Sequence, residues 1–218
     1  MKIGIGITTA GVRDIRADAF LSDPMFKSDR DVFCVYTDYD KQGVAHAKNG
    51  TMQQLYTAGC THMFLFDDDC YPMMPGWIGY VIENARKHNL QYIGLPESFK
   101  SRLVRHVEDE MTLWDGMLGC FLFQTREAME KVGYYNAAYH RYGYEDAGRA
   151  ERLRRAFGYR VGQQPSLLRL PSYIYSEDVY ARNPTPNMSH AEKMACIEKN
   201  RNEWTREVNS EQLYYPYG

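Results

Sequence analysis

The chain has 218 residues, with 26 Lys and Arg against 28 Asp and Glu, and its formal net charge is −2 at pH 7. This length suits one large domain or two very small ones, and a single domain of this size needs no disulfide or metal crosslink for stability. The balanced charge argues against a protein held to DNA or anionic membranes by bulk electrostatics. The five cysteines form no C-x-x-C pair, which is typical of reduced thiols in the cytoplasm.

Targeting and membrane segments are not predicted. The N-terminal stretch MKIGIGITTAGVRD lacks the apolar core of a signal peptide. Nowhere do about 18 apolar residues run together, as a membrane-spanning helix requires. We therefore expect a cytoplasmic enzyme or binding domain without a transmembrane segment.

Strands and helices are predicted to alternate along the chain. The hydrophobic patterns predict strands at 2–7, 31–37, 61–66, 91–95, 119–125 and 159–162, and helices at 44–58, 75–88, 126–132, 147–157 and from 189 onward. The charged stretch 97–115 predicts a loop or flap, and the C-terminal YYPYG predicts a flexible tail or a lid. Alternation of this kind is typical of an α/β domain with a mainly parallel sheet.

The strongest chemical signal is FLFDDDC at 64–70, where an apolar strand ends in three carboxylates. Alternate side chains of an extended chain share a face, so Asp67 and Asp69 are predicted to point together and Asp68 elsewhere. Ligands of α/β sheets bind at strand ends, and adjacent carboxylates attract a hard cation, so the segment predicts a Mg²⁺ or Mn²⁺ site. The alternative interpretation is an acidic turn in which one aspartate caps the next element.

A second group of motifs lies at 117–160, including REAMEKVGYYN and RYGYEDAGRAERLRRAFGYR, after the segment GVAHAKNGTMQQLYTAGCTHMFLFDDD at 43–69. In this order the motifs resemble the inverting GT-A glycosyltransferases related to family 2. The counterparts of the family's motifs are Ala47-Lys48-Asn49, Asp67-Asp68-Asp69, Gly119, Arg126-Glu127, Lys131-Val132-Gly133, Glu145-Asp146 and Gly158-Tyr159. The chain departs from the family where Gly148 follows the acid pair, so the helix is expected to begin late or to pack unusually closely.

The resemblance implies a fold and an organisation. The fold would be a single GT-A domain, a Rossmann-like α/β architecture with a mainly parallel central sheet. Within 1–218, residues 1–115 would form the nucleotide-sugar-binding half, 116–188 the acceptor and catalytic half, and 189–218 a C-terminal helix and tail.

The resemblance also implies roles for individual residues. Asp146 would be the catalytic base, and Glu145 would position the acceptor. A Mn²⁺ or Mg²⁺ cofactor would be held by the DXD motif, Asp67 and Asp69, together with His190. The residues expected to bind the donor are Thr8, Thr9, Arg13, Asp38, Lys48 and Asp68.

The expected partners follow from the same resemblance. The donor would be a nucleotide-diphosphate sugar, with a UDP-sugar as the first expectation. The acceptor would be a glycan or another hydroxyl-bearing molecule, and a modified DNA base stays open.

Structural alternatives stay open for several of these residues. Glu145 and Asp146 would also sit favourably at a helix N-terminus and pair with Arg149. His190 could equally be a solvated surface residue. The basic run of Arg149, Arg152, Arg154, Arg155 and Arg160 predicts a solvated helix face rather than a phosphate patch. The tyrosines at 134, 135, 139, 142 and 144 predict an acceptor pocket.

Two other functions compete with glycosyl transfer. Sugar-nucleotide nucleotidyltransferases share a similar sheet, but GIGITTAGVR lacks the downstream Pro and Lys of their signature. A non-catalytic domain that binds nucleotide sugars or glycans is the other alternative. The intact acids at 67, 69 and 146 argue against a degenerate site.

Overall fold

The computed structural model describes residues 1–96, 102–181 and 188–217. The strands there are β1 (Ile3–Thr9), β2 (Val32–Thr37), β3 (His62–Asp67), β4 (Cys70–Pro72), β5 (Tyr92–Leu95), β6 (Leu103–Glu108), β7 (Met111–Trp114), β8 (Leu118–Thr125), β9 (Gln164–Leu167) and β10 (Ile174–Ser176). The α-helices are α1 (Ala17–Leu21), α2 (Val44–Thr57), α3 (Trp77–Lys87), α4 (Arg126–Val132), α5 (Glu145–Ala156), α6 (Leu170–Tyr173) and α7 (His190–Asn209). A π-helical turn (Glu177–Ala181) follows β10.

The central sheet has the strand order β2-β1-β3-β8-β5. Strand β1 pairs in parallel with β2 and β3, whereas β8 runs antiparallel to both β3 and β5. Four of the five strands therefore point the same way, and the predicted α/β class with a mainly parallel sheet is confirmed. Two smaller sheets, β4-β10 and β6-β7-β9, flank it.

Both faces of the central sheet are buried. Along β3, Phe64 and Phe66 pack into a core cluster with Trp77, whereas Met63 and Leu65 pack into a cluster on the opposite face. This division follows from the two-residue period of a strand. Burial on both faces explains why the sequence of β3 reads as a continuous apolar run.

Helix α2 lies unusually close to the sheet. A Cβ on Gly6 of β1 would lie 2.2 Å from Thr51 Cγ2 and 3.2 Å from Leu55 Cδ1. Glycine is therefore required for the close approach of helix and strand. The same packing places Lys48, three residues before Thr51, at the end of the sheet where the functional site forms.

Two local predictions were wrong. Residues 159–162 are not a strand, because Gly158 and Gly162 both adopt positive φ (+73° and +69°) and the chain turns before β9 begins at Gln164. The predicted loop at 97–115 contains the β6-β7 hairpin, whose turn places Asp109 at φ +44°. Residues 97–101 of that prediction lie outside the described residues.

The C-terminal helix begins as predicted, and the tail after it is held in place. The capping box of Ser189 and Glu192 is present at the start of α7. Beyond the helix, Tyr215 N donates to Val132 O at 3.2 Å and Tyr134 N donates to Tyr215 O at 2.9 Å. These bonds attach the described part of the tail to the end of α4, which argues against the flexible tail, and the lid stays a prediction. Among the described helices, none has both the length and the apolar character needed to cross a membrane.

Candidate functional site

A cavity of about 690 Å³ opens where β1 and β3 end and α5 begins. Of the predicted site residues, the cavity is lined by Thr8, Thr9, Asp38, Asp67, Asp68, Asp69, Glu145 and Asp146. Arg13, Lys48 and His190 are not among its lining residues. The sheet register explains the first contacts, because Thr8 of β1 is paired with Asp67 of β3 and the two strands end together.

The three strand-end acids face different partners. Asp68 Oδ2 accepts a hydrogen bond from the Thr9 hydroxyl at 2.5 Å. Asp69 Oδ2 accepts from the Ser176 hydroxyl and from Asp178 N, the latter at 3.3 Å. Burial raises the pKa of both carboxyls.

Asp67 is the least satisfied of these acids. Within the described ranges its Oδ1 is buried without a hydrogen bond, although it lies 3.2 Å from Lys48 Nζ. Burial raises the pKa of Asp67 to about 8; Lys48 opposes the rise, and the charges of Asp146 and Asp69 add to it. An added cation beside this oxygen would favour its ionised form.

Lys48 lies between two of the acids that line the cavity, Asp67 and Asp146. Its side chain is 3% exposed, and Nζ donates to Gly119 O and to Asp146 Oδ1, both at 2.8 Å. Burial lowers the pKa of Lys48, but Asp146 and Asp67 more than offset this, and its pKa lies well above the usual value. Lys48 is therefore a buried cation shared between an acid of β3 and an acid of α5.

The acid pair opens α5, as the sequence predicts. Glu145 is 4% exposed, and its Oε2 is buried without a hydrogen-bond partner in the described part of the chain. Burial raises the pKa of Glu145 to about 8, Asp146 adds to the rise, and Lys48 opposes it. The alternative pairing of these acids with Arg149 is not found, because Arg149 donates instead to Gly133 O and Gln124 Oε1.

Gly148 permits close packing rather than a late helix start. Helix α5 begins at Glu145, directly after Tyr144 in the left-handed conformation. A Cβ on Gly148 would lie 2.4 Å from both Glu207 Oε2 and the Tyr139 hydroxyl. Of the two expectations for this glycine, the close packing is correct.

Two of the remaining predicted residues, Asp38 and Arg13, have structural partners. The carboxylate of Asp38 accepts from Gln42 N at 2.9 Å and from Gly43 N at 2.7 Å. Arg13 forms ion pairs with Glu177 and Asp178. His190 is exposed at the first position of α7.

Two predictions about residue environments were wrong in part. Arg149, Arg152 and Arg154 are at most 7% exposed, so the basic run of α5 is largely interior. Of the five clustered tyrosines, Tyr142 and Tyr144 line the cavity, whereas those at 134, 135 and 139 are buried.

Sequence reasoning missed a third wall of the cavity. Ser176 and Asp178 reach it from the end of β10 and the π-helical turn, and Lys193 reaches it from α7. The proline-rich segment that supplies the first two has no hydrophobic period, so no pattern signalled their approach to Asp69.

The carboxylate oxygens at the strand ends are of the kind that bind a divalent cation. Asp67 and Asp69 could supply oxygen ligands, and one buried oxygen of Asp67 lacks a hydrogen bond from any described residue. Within 1–96, 102–181 and 188–217, no group of three or more His, Cys, Asp and Glu side chains has the geometry to hold a metal. Mg²⁺ commonly takes only one or two protein carboxylates and completes its shell with substrate phosphates and water.

Comparison with known proteins gives similarity in fold only. No protein-family profile matches the chain, and no curated protein sequence matches it. Protein A197 from STIV is similar in structure over 67% of this chain and 77% of that chain, with 16% identity and a TM-score of 0.42. A Drosophila β-1,4-galactosyltransferase 7 variant, solved with manganese, UDP-Gal and xylobiose, is similar over 89% of this chain and 79% of that chain, with 14% identity and a TM-score of 0.43. At these values the function has to be argued from the site itself.

Proposed function

We propose that the protein is a glycosyltransferase that moves a sugar from a nucleotide diphosphate to an acceptor hydroxyl. The observation that carries the proposal is a cavity lined both by the strand-end acids Asp67 and Asp69 and by the acid pair Glu145 and Asp146. Glycosyl transfer needs both chemistries at once: charge stabilisation at a departing diphosphate and a proton acceptor at the attacking hydroxyl.

The reaction assigned to this cavity is one displacement at the anomeric carbon. The acceptor oxygen bonds to that carbon, its proton passes to a carboxylate at the start of α5, and the bond to the diphosphate breaks with its electron pair. A single displacement inverts the anomeric configuration, which NMR of the product would detect. A UDP-sugar is the donor proposed, and the exposed edge of Tyr142 offers an aromatic surface to a sugar.

A divalent cation fits the donor side of this scheme. Asp67 and Asp69 would hold it, and when bound it would supply positive charge to the departing diphosphate. His190 is exposed at the start of α7 and is not among the residues that line the cavity. The two aspartates are therefore the ligands proposed first.

Incubation with labelled UDP-, GDP- and dTDP-sugars tests the function. Release of the nucleoside diphosphate, with or without an added glycan, supports glycosyl transfer. Synthesis of a sugar nucleotide from a sugar 1-phosphate and a nucleoside triphosphate would make the protein a nucleotidyltransferase instead. Binding without turnover of any donor would make it a binding domain.

Metal dependence is tested by calorimetry of UDP binding. We expect UDP to bind at least tenfold more weakly in EDTA than with Mn²⁺, because the acids around Asp67 repel a diphosphate unless a cation lies between them. Asp69→Asn should remove most of this metal-dependent gain by removing an anionic ligand.

Ser176→Ala is the matched control for this substitution. It removes the hydroxyl bonded to Asp69 and leaves the carboxylate in place. The control should retain the metal dependence. Equal UDP affinity with and without metal in the unsubstituted protein would refute the proposed metal site.

A further inference from the structure

The two acids at the start of α5 differ in their bonding partners. Asp146 Oδ1 forms an ion pair with Lys48 at 2.8 Å, and its Oδ2 lies over Gly119, where an added Cβ would come within 1.8 Å. Oδ1 of Asp146 therefore faces α2 and its Oδ2 lies beside β8, while the side chain is 25% exposed and lines the cavity. Glu145, which also lines the cavity, has a buried Oε2 with no hydrogen-bond partner among the residues that the structure describes.

A buried carboxyl oxygen without a partner, on a residue that lines a cavity, calls for a ligand. Burying a polar atom without a partner is unfavourable, so such an atom beside a cavity calls for a water, an ion or a substrate as its partner. An ion-paired carboxylate is already satisfied, and taking up a proton would break its pair with a buried ammonium. The unpartnered carboxyl of Glu145 and the ion-paired carboxylate of Asp146 are therefore suited to different roles.

We infer that Glu145 accepts the acceptor proton, whereas Asp146 is a positioning residue that Lys48 holds in place. The inference rests on the proposed glycosyl transfer and reverses the roles that the sequence resemblance implies. In the step, the acceptor O–H bond breaks, its proton moves to the Glu145 carboxylate, and the oxygen bonds to the anomeric carbon. The electron pair of the broken sugar–phosphate bond leaves with the diphosphate.

The charges around Glu145 make the assignment measurable. Asp146 on its own helix and Asp67 at the end of β3 disfavour its ionised form, whereas Lys48 on α2 favours it. Tyr142, in the loop before α5, also lies within electrostatic range of Glu145. Removing Asp146's charge should therefore lower the midpoint of Glu145's titration, and removing Lys48's charge should raise it.

The first experiment follows the side-chain carboxyl carbons of the full chain by NMR after ¹³C labelling of glutamate. Glu145→Gln identifies the Glu145 signal, which we expect to titrate well above the other glutamates. Asp146→Asn should shift its midpoint down by about one pH unit, and Lys48→Met should shift it up by a similar amount. Lys48→Arg keeps the charge and should restore a midpoint near that of the unsubstituted protein. A Glu145 signal that titrates with the surface glutamates, or that ignores both substitutions, would overturn the assignment.

The second experiment measures hydrolysis of UDP-galactose with water as acceptor, as a function of pH. The rate should rise with pH in the unsubstituted protein and in Asp146→Asn, since both retain Glu145. Glu145→Gln should lower the rate by about 10²- to 10⁴-fold and abolish the rise. The reverse pattern, with the rise lost only in Asp146→Asn, would make Asp146 the proton acceptor, and equal loss in both variants would also refute the division.

Two controls separate this inference from the proposed function. Glu198→Gln, on the exposed side of α7, should leave both the Glu145 midpoint and the pH profile unchanged. UDP binding by calorimetry shows that each variant retains a folded donor site. The carboxyl titration needs no donor, so it decides the state of Glu145 even where no nucleotide sugar is turned over.

Discussion

At the scale of single residues, the site depends on a glycine, because position 119 has no room for a Cβ atom. Gly119 in β8 passes directly beneath Asp146, and its carbonyl accepts a hydrogen bond from Lys48. A side chain there would occupy the space of the carboxylate that Lys48 holds. Gly119 therefore acts on the acid pair through packing, without chemistry of its own.

Gly119→Ala tests this dependence. The new methyl group should displace Asp146 and separate it from Lys48, and a misplacement of about 1 Å can lower turnover by about 10²-fold. The measurement is donor hydrolysis beside UDP affinity, and the affinity should change much less than the rate. Gly79→Ala in α3 is the control, because its Cβ would meet only the flexible side chain of Met25, at 3.1 Å. Unchanged hydrolysis in Gly119→Ala would show that Asp146 tolerates displacement.

At the scale of elements, α5 is an interior helix with an unusual composition. Arg152 and Glu207 form an ion pair in which both side chains are fully buried, and Arg152 also donates to Val132 O, Tyr134 O and Leu213 O. Glu207 in turn accepts from the Tyr139 hydroxyl at 2.5 Å. One residue of α5 thus ties together the end of α4, the last turn of α7 and the tail.

Glu207→Gln should destabilise the protein strongly. The substitution leaves the Arg152 guanidinium buried without a counter-charge, which costs about 3–5 kcal/mol. Denaturant unfolding measures the free-energy change, and the slope with denaturant should stay constant if unfolding remains two-state. Glu198→Gln breaks an exposed pair with Arg201 on the same helix and should have no measurable effect. A loss for Glu207→Gln as small as that of the control would mean that the backbone carbonyls alone satisfy Arg152.

The elements that were predicted well from the sequence are those whose ends are set by neighbouring residues in the chain. Helix α4 starts where Thr125 caps it and ends before Gly133, and α7 starts at its capping box. The interior character of α5 was not predictable, because the partner of Arg152 lies 55 residues away. From its sequence an arginine-rich helix is expected to be solvated. Here the fold supplies a buried carboxylate and three carbonyls that bind Arg152.

At the scale of the whole molecule, the cavity collects residues from distant parts of the chain. The acids themselves were predictable, because FLFDDD and YED are local patterns at a strand end and a helix start. Their connection was not, since Lys48 and Asp146 are 98 residues apart and Ser176 and Asp69 are 107 apart. Local motifs identified the groups, and long-range packing determines which of them are paired.

The site also links the stability of the whole chain to pH. Burial raises the pKa of Glu145 to about 8, whereas an unfolded glutamate has a pKa of about 4.3. Between these values the folded chain holds a proton on Glu145 that the unfolded chain has released, so the contribution of this group to stability is fully present below about pH 4.3 and is lost as pH rises toward 8. The loss from one such group approaches about 1.4 kcal/mol per pH unit within this window.

Unfolding by denaturant from pH 5 to pH 8.5 at constant ionic strength measures this dependence. Glu145→Gln removes the titrating group while keeping a similar shape, so its stability should fall less steeply with pH than that of the unsubstituted protein. Some slope should remain, because the pKa of Asp67 is raised in the same direction. Glu198→Gln, which leaves both buried acids in place, should reproduce the original slope. If Glu145→Gln and the unsubstituted protein show parallel curves, Glu145 is ionised across this range, and the buried proton must be sought on Asp67.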